Sequence, residues 1–187
     1  MIQATQLRRG NTILHNGELF QVVDYKHITP GNWRGMVQTK LRNMRTGSII
    51  DHRFRSEDRL ERAILDQREM EFSYKDGSDY HFMDVENYEQ VQFSEEMLGD
   101  SPQYLIANSK IVVEFYEGKP LGIELPPTVE LKVTQTDPGM PSATATNVMK
   151  PATLETGLVV GVPHFIKEGD TIKVDTTEGK YMERVRS

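Results

Sequence analysis

Residues 72–82 read FSYKDGSDYHF, in which the turn dipeptide Asp76-Gly77 separates two alternating apolar runs. Glycine at such a point supplies the positive φ that a tight hairpin demands. The same arrangement recurs in both directions along the chain, at Asn16-Gly17, Glu117-Gly118 and Glu178-Gly179. A helix signal of note occurs only at 94–98, where Ser94 can cap and Gly99 can terminate one or two turns. The repeated hairpin pattern predicts an all-β protein.

Two breaks divide the chain into three units of about sixty residues each. Charge changes sign near 61–65, and Pro126-Pro127 cannot continue a central strand. Units this small bury little surface, and closely spaced hairpins suit compact barrels without long exposed edges. The predicted domains are residues 1–64, 65–127 and 128–187.

The composition of the chain excludes several classes of protein. The 187 residues are 37% hydrophobic and contain no cysteine, which excludes disulfide frameworks, thiolate metal sites and cysteine nucleophiles. The chain has no apolar run of about 18 residues and no signal-peptide pattern at its start. We therefore expect a cytoplasmic protein with no membrane partner.

The net charge of −6 hides an uneven distribution. Residues 1–64 carry 11 basic and 6 acidic side chains, residues 65–127 carry 4 and 14, and residues 128–187 carry 7 and 8. A basic first third and an acidic middle favour contact between the first unit and phosphate, with the middle held away from it. Ordinary solvated surface charge is the alternative interpretation.

Sequence motifs for catalysis are missing. The chain contains no Walker loop, GxGxxG, HExxH, GxSxG or EF-hand pattern. Its five histidines are far apart in sequence, as expected of ordinary strand and loop residues. Clustering of these histidines in the folded chain is the alternative. The acidic residues of 76–86 lack calcium-loop periodicity and favour a solvated face. We predict no enzymatic activity, no cofactor and no metal site.

A loop at residues 27–36, HITPGNWRGM, contains the only tryptophan of the chain. Its flanks, 22–27 and 36–41, read as strands, which predicts a finger projecting beyond the sheet. Trp33 and Arg34 on such a finger are suited to base stacking and phosphate contact. In the alternative, Trp33 folds back over the end of the barrel.

Two cationic stripes follow the loop. Period-two spacing puts Gln38, Lys40 and Arg42 on one strand face and Asp51, Arg53 and Arg55 on a face of the next. The alternating residues predicted to build the core are Val37, Thr39, Leu41, Ile50, His52 and Phe54. The pattern predicts recognition of a nucleic-acid backbone rather than of bases, with phosphate contacts from Lys40, Arg42, Arg53 and Arg55.

Across essentially its whole length, the chain resembles bacterial elongation factor P. The resemblance is carried by Thr29-Pro30-Gly31, residues 38–43 (QTKLRN), Tyr80-His81-Phe82-Met83, Val129-Glu130-Leu131, residues 136–139 (TDPG), residues 150–157 (KPATLETG), Val162-Pro163 and the stretch from Gly169 to Thr176.

The resemblance implies an SH3-like first domain and two oligonucleotide-binding barrels in an L-shaped, tRNA-like arrangement. It also implies a monomer that binds the ribosome, rRNA and peptidyl-tRNA, between the peptidyl and exit tRNA sites. The first-domain tip would reach the acceptor end of the peptidyl-tRNA, the third domain would lie near the small subunit, and stalling at consecutive prolines would be relieved. The tip residues are then Pro30, Gly31, Asn32, Trp33, Arg34 and Gly35.

Two positions depart from the family pattern. Asn32 stands where the family commonly has a lysine or arginine that carries a post-translational extension. Ser142-Ala143-Thr144 replaces the usual Gly-Asp-Thr in the third-domain loop on the small-subunit side. We therefore expect an unmodified tip in which Arg34 supplies the cation. A divergent paralogue with another regulatory role on the ribosome, and a small enzyme using the acidic second domain, are the competing hypotheses.

Overall fold

The computed structural model describes residues 1–31, 34–139 and 148–186, which form three antiparallel sheets. These residues contain sixteen strands and one four-residue α-helix, so the predicted all-β class is confirmed. None of the helices in these residues has the length and apolar character needed to cross a membrane.

The first sheet has the strand order β1-β6-β2-β3-β4-β5. Its strands are β1 (Ile2–Gln3), β2 (Thr12–His15), β3 (Glu18–Ile28), β4 (Met36–Asn43), β5 (Ile49–Arg55) and β6 (Arg59–Ala63), with a 3₁₀ turn at Ala4–Gln6. The sheet curls around a core that includes Ile13, Phe20, Val22, Val37, Leu41 and Phe54. Strands β3, β4 and β5 are its longest strands, and β5 lies at one edge of the sheet.

The second sheet has the order β11-β10-β7-β8-β9. Its elements are β7 (Asp66–Asp76), β8 (Asp79–Asp84), β9 (Gln90–Ser94), α1 (Glu95–Leu98), a 3₁₀ turn (Ser101–Tyr104), β10 (Lys110–Tyr116) and β11 (Lys119–Glu124). Its core is rich in aromatic rings and includes Phe72, Tyr80, Phe82, Phe93 and Phe115. Alternation along β8 buries Tyr80 and Phe82 and turns His81 and Met83 outward.

The third sheet has the order β14-β13-β12-β15-β16. Its strands are β12 (Thr128–Thr136), β13 (Met149–Leu154), β14 (Val159–Pro163), β15 (Thr171–Asp175) and β16 (Lys180–Arg184). Residues 140–147 lie between β12 and β13, outside the described residues. Aliphatic side chains fill the core, including Leu131, Val133, Leu154, Val162, Ile172 and Val174.

The turn glycines adopt the predicted conformation. Gly17, Gly77, Gly118 and Gly179 all have positive φ, between 60° and 79°. At the second hairpin the connection is Gly77-Ser78 rather than Asp76-Gly77, because Asp76 still pairs with Asp79 in the ladder. The short helix is also confirmed: the Met97 amide donates to the Ser94 hydroxyl, and Gly99 ends the helix at φ 56°.

The second and third sheets share a packed junction. Tyr104 is buried in the core of the third sheet, and Leu125 packs against both cores. The hydroxyl of Thr156 donates to the Gln103 carbonyl oxygen at 2.6 Å, and that of Thr176 donates to the Pro126 carbonyl oxygen at 2.5 Å. These contacts flank the Pro126-Pro127 connection and hold the two sheets against each other.

Candidate nucleic-acid interface

The two flanks of the loop lie in strands β3 and β4, as predicted. Their ladder continues to the pair Ile28 and Met36, so only residues 29–35 lie beyond it. Strand β5 accompanies β4 as far as Arg55, which is opposite Met36. The expectation that the two strands project beyond the sheet as a finger is therefore wrong, because β5 pairs with β4 as far as Met36.

The described tip residues place a cation at the loop. Pro30 and Gly31 follow β3, with Gly31 at φ 47°. The Arg34 guanidinium donates to Glu57 at 3.2 Å, while the side chains stay 83% and 65% exposed. Ion pairs this exposed contribute little to stability, so a phosphate can compete for Arg34. Asn32 and Trp33 lie outside the described residues.

Gly35 closes the loop against the turn between β5 and β6. The Ser56 amide donates to the Gly35 carbonyl oxygen at 2.9 Å. A Cβ atom on Gly35 would lie 2.6 Å from the Ser56 hydroxyl oxygen, which is itself 3.3 Å from the His27 Nε2. Glycine thus lets the end of the loop approach the turn between β5 and β6 closely.

The two stripes face outward as predicted. Lys40, Arg42, Arg53 and Arg55 are all exposed, while Val37, Thr39, Leu41 and Phe54 are buried and His52 is half-buried. The prediction for Ile50 is wrong, since 39% of this residue is exposed. It lies near the start of β5, an edge strand with a neighbour on one side only, so the core does not close over it.

The pairing register places the four residues predicted to contact phosphate in different surroundings. Lys40 lies opposite Asp24 on β3 and opposite Asp51 on β5. A hydrogen bond from Arg9 lowers the pKa of the Asp24 carboxyl, so that group is ionised at neutral pH. Lys40 is therefore flanked by two carboxylates that offset its charge.

Arg42 is at the opposite end of the stripe from the loop. It lines a cleft between the first and second sheets, together with Gly47 and Met97. Glu96 and Asp100 line the same cleft. The surroundings of Arg42 are thus partly acidic and lie away from the loop.

Lys26 belongs to the cationic face, although the sequence stripes did not include it. It is exposed and lies opposite Gln38, which is opposite Arg53, so the three form one row across three strands. Period-two spacing along β3 was the sequence signal that could have identified Lys26. Only the pairing register could show that β3 continues the face of β4 and β5.

The structure also brings two of the scattered histidines together. The rings of His15 and His52 are 4.5 Å apart between centroids and pack against Phe54. Burial, and then the nearby charge of His52, lower the pKa of His15. Among the described residues, no group of three His, Asp or Glu side chains is placed to hold a metal ion.

The third-domain loop residues Ser142, Ala143 and Thr144 lie outside the described residues. Next to that segment, the Lys150 ammonium donates to the carbonyl oxygen of Asp137. His164 and Phe165 line a groove beside these residues. The structure therefore describes the rim of this region but not the loop.

Family comparisons cover nearly the whole chain. Residues 3–60 match the family model described as Elongation factor P (EF-P) KOW-like domain, residues 65–123 match Elongation factor P (EF-P) OB domain, and residues 129–184 match Elongation factor P, C-terminal.

Individual relatives agree with the family models. The chain is 57% identical over 183 residues to "Elongation factor P" of Acidobacterium capsulatum, covering 98% of each chain. It is 46% identical over 185 residues to "Elongation factor P" of Pelotomaculum thermopropionicum, covering 99% of this chain and all of the relative. The solved structure "Eukaryotic translation initiation factor 5A from Methanococcus jannaschii" shares the fold, with a TM-score of 0.51 and 14% identity over 64% of this chain and 88% of that one. The chain belongs to the elongation factor P family.

Proposed function

We propose that this translation factor binds the ribosome beside the peptidyl-tRNA and promotes peptide-bond formation at proline-rich sequences by positioning the acceptor end. It acts in the cytoplasm as a non-enzymatic monomer, with domains 1–64, 65–127 and 128–187. Membership of the elongation factor P family supports the translation role. The charge distribution of the first sheet supports RNA as its ligand.

The observation that carries the proposal is the cationic end of the first sheet. Arg55 is in the row next to the loop, and Lys26 and Arg53 share the next row on the same face. Neither row contains a carboxylate, and Arg34 adds a fourth cation at the loop. Together they provide a positively charged surface at the base of the tip, as contact with an RNA backbone requires.

The proposed mechanism is orientation. Proline is a constrained secondary amine, so peptide-bond formation with it is slow when the acceptor end of the tRNA is not held in one orientation. Contacts from Arg34 and the cationic end would hold that acceptor end in a reactive pose, and orientation alone can lower a barrier by several kcal/mol. The factor then needs no catalytic group of its own.

The negative charge of the second domain supports RNA binding through the first domain. Residues 65–127 carry ten more acidic than basic side chains, whereas residues 1–64 carry five more basic ones. Phosphate-rich RNA is therefore attracted to the first domain and repelled by the second. The charge asymmetry would orient the chain relative to the tRNA before any specific contact forms.

The test measures ribosome binding and synthesis of a proline-rich peptide with unmodified recombinant protein. Arg53→Ser combined with Arg55→Ser should weaken ribosome binding and lower the yield of the proline-rich peptide. Arg59→Ser with Arg62→Ser is the matched control, because both residues are exposed arginines on β6 of the same sheet.

Three outcomes would contradict the proposal. Ribosome binding without any effect on proline-rich peptides would favour a paralogue with another regulatory role. Turnover of a small molecule without ribosome binding would favour an enzyme. Equal losses in the test and control variants would show that net charge, rather than the cationic end, determines binding.

A further inference from the structure

The outer face of the second sheet carries an ordered pair of stacked rings. Tyr74 and His81 lie opposite each other in the β7–β8 ladder, with ring centroids 4.4 Å apart and planes inclined by only 12°. Tyr74 is 52% exposed. Stacking on His81 restricts the tyrosine ring before any partner arrives, which reduces the ordering cost of binding. The proposed tRNA contact uses neither ring.

Carboxylates border the pair on both sides. Asp76 and Asp79 are opposite each other two positions farther along the ladder, on the same face as Tyr74 and His81. Glu71 lies on the other side, opposite Met83. A register shift at residues 72–74 lets Glu71 and Tyr74 both face outward, while Met70 and Phe72 remain in the core. The rings are therefore set in an acidic surface.

Few cations offset these carboxylates. Within the described part of the chain, no lysine, arginine or histidine nitrogen lies within 4.0 Å of a carboxylate oxygen of Asp76 or Asp79. On the same face, Lys110 lies opposite Glu71 but donates to Glu69 at 2.9 Å. The surface keeps a strong negative potential, which repels RNA phosphate and attracts basic groups.

We propose that Tyr74, His81, Asp76 and Asp79 form a docking site for an arginine-bearing basic segment of a partner protein. The planar guanidinium stacks on an aromatic face and forms forked hydrogen bonds with a carboxylate, and this surface offers both groups side by side. Lysine supplies charge but has no plane to stack. This site is independent of the proposed tRNA contact of the first domain.

The experiment measures fluorescence anisotropy of labelled nona-arginine and nona-lysine peptides with the full chain. The wild type should bind nona-arginine about two- to fivefold more tightly than nona-lysine, the range expected for one guanidinium stacked on a ring. Tyr74→Asn should remove this preference. Tyr88→Asn is the matched control and should retain it, because Tyr88 is 72% exposed and belongs to no ring pair within the described residues.

A second pair of variants tests the carboxylates. Asp76→Asn with Asp79→Asn should weaken binding of both peptides several-fold. Glu86→Gln with Glu96→Gln removes the same charge elsewhere in the second domain and should have a smaller effect. Tyr74→Phe keeps the stacked ring and should bind like the wild type, which separates loss of the ring from a defect in folding.

Several results would overturn the docking site. These are no binding of either peptide, equal affinity of the wild type for the two peptides, and an arginine preference that survives Tyr74→Asn. Binding of labelled oligouridylate that Tyr74→Asn weakens would assign the face to RNA instead. None of these results depends on whether the first domain binds tRNA.

Discussion

Lys40 lies directly opposite Asp51 in the ladder between β4 and β5. Its other cross-strand neighbour is Asp24, which is also bonded to Arg9. Opposite charges in directly paired positions attract, and this attraction reduces what the lysine contributes to the potential beyond the sheet. The cationic stripe is therefore interrupted in its middle, and the charge that no paired carboxylate offsets lies at its end nearest the loop.

The interruption predicts unequal effects of two similar substitutions on RNA binding. Arg53→Ser should flatten the log–log dependence of affinity on salt by about 0.7–0.9, the value for one lost phosphate contact. Lys40→Ser should flatten it less, and Asp51→Asn should strengthen binding. Titrations of tRNA or ribosomes at several salt concentrations measure these slopes. A larger effect for Lys40 than for Arg53 would contradict the assignment.

Arg34 is expected to supply the cation of the tip. Arg34→Ala should abolish most stimulation of proline-rich peptide synthesis by unmodified protein, and Asn32→Ala should cost less, because a neutral amide cannot replace a charged contact to RNA. Glu57→Gln removes the ion-pair partner of Arg34 and should preserve or raise activity. Full activity of Arg34→Ala, or a required adduct on Asn32 in native protein, would refute this role.

Gly35→Ala should disturb the base of the loop. The added Cβ would force the Ser56 hydroxyl away from its position near His27, and loss of one such hydrogen bond costs about 1 kcal/mol. The free energy of unfolding in urea measures the cost. Ser56→Ala removes the oxygen that the new methyl would meet, so the double variant should be less destabilised than the sum of the two single changes. Strict additivity would exclude this contact.

The lowered pKa of His15 predicts that the folded protein loses stability in mild acid. Burial and the charge of His52 lower its pKa below the ordinary value of 6.5, so the unfolded chain binds the proton more readily than the folded one. The contribution is complete above about pH 6.5 and is lost as the pH falls toward the folded pKa. Melting curves from pH 7.5 to 5 should show this decline, and His15→Gln should flatten it. An unchanged decline in that variant would assign it to other groups.

Tyr104 is expected to couple the second and third domains. Tyr104→Ala removes a buried ring from the third core and should cost about 3 kcal/mol, splitting one calorimetric transition into two. Tyr104→Phe keeps the ring and should leave the transition nearly unchanged. A single transition in the alanine variant would show that Thr156 and Thr176 suffice to join the domains.

Much of the candidate site follows from local rules. Alternation along β4 was enough to separate Lys40 and Arg42 from the buried Val37 and Leu41, because side chains change face at every residue of a strand. The same rule failed for Ile50 on the edge strand. Alternation predicts which face a residue occupies, whereas burial also needs a neighbour that covers that face.

By itself, the sequence determined the all-β class, the hairpin turns and the outward direction of the charged stripes, because turn glycines and period-two alternation act over a few residues. Its motifs also identified the family. Only the tertiary structure decided that Asp24 and Asp51 flank Lys40, that Lys26 joins Arg53, and that Tyr74 stacks on His81. Such relationships depend on the register between strands, which the packing of the core selects.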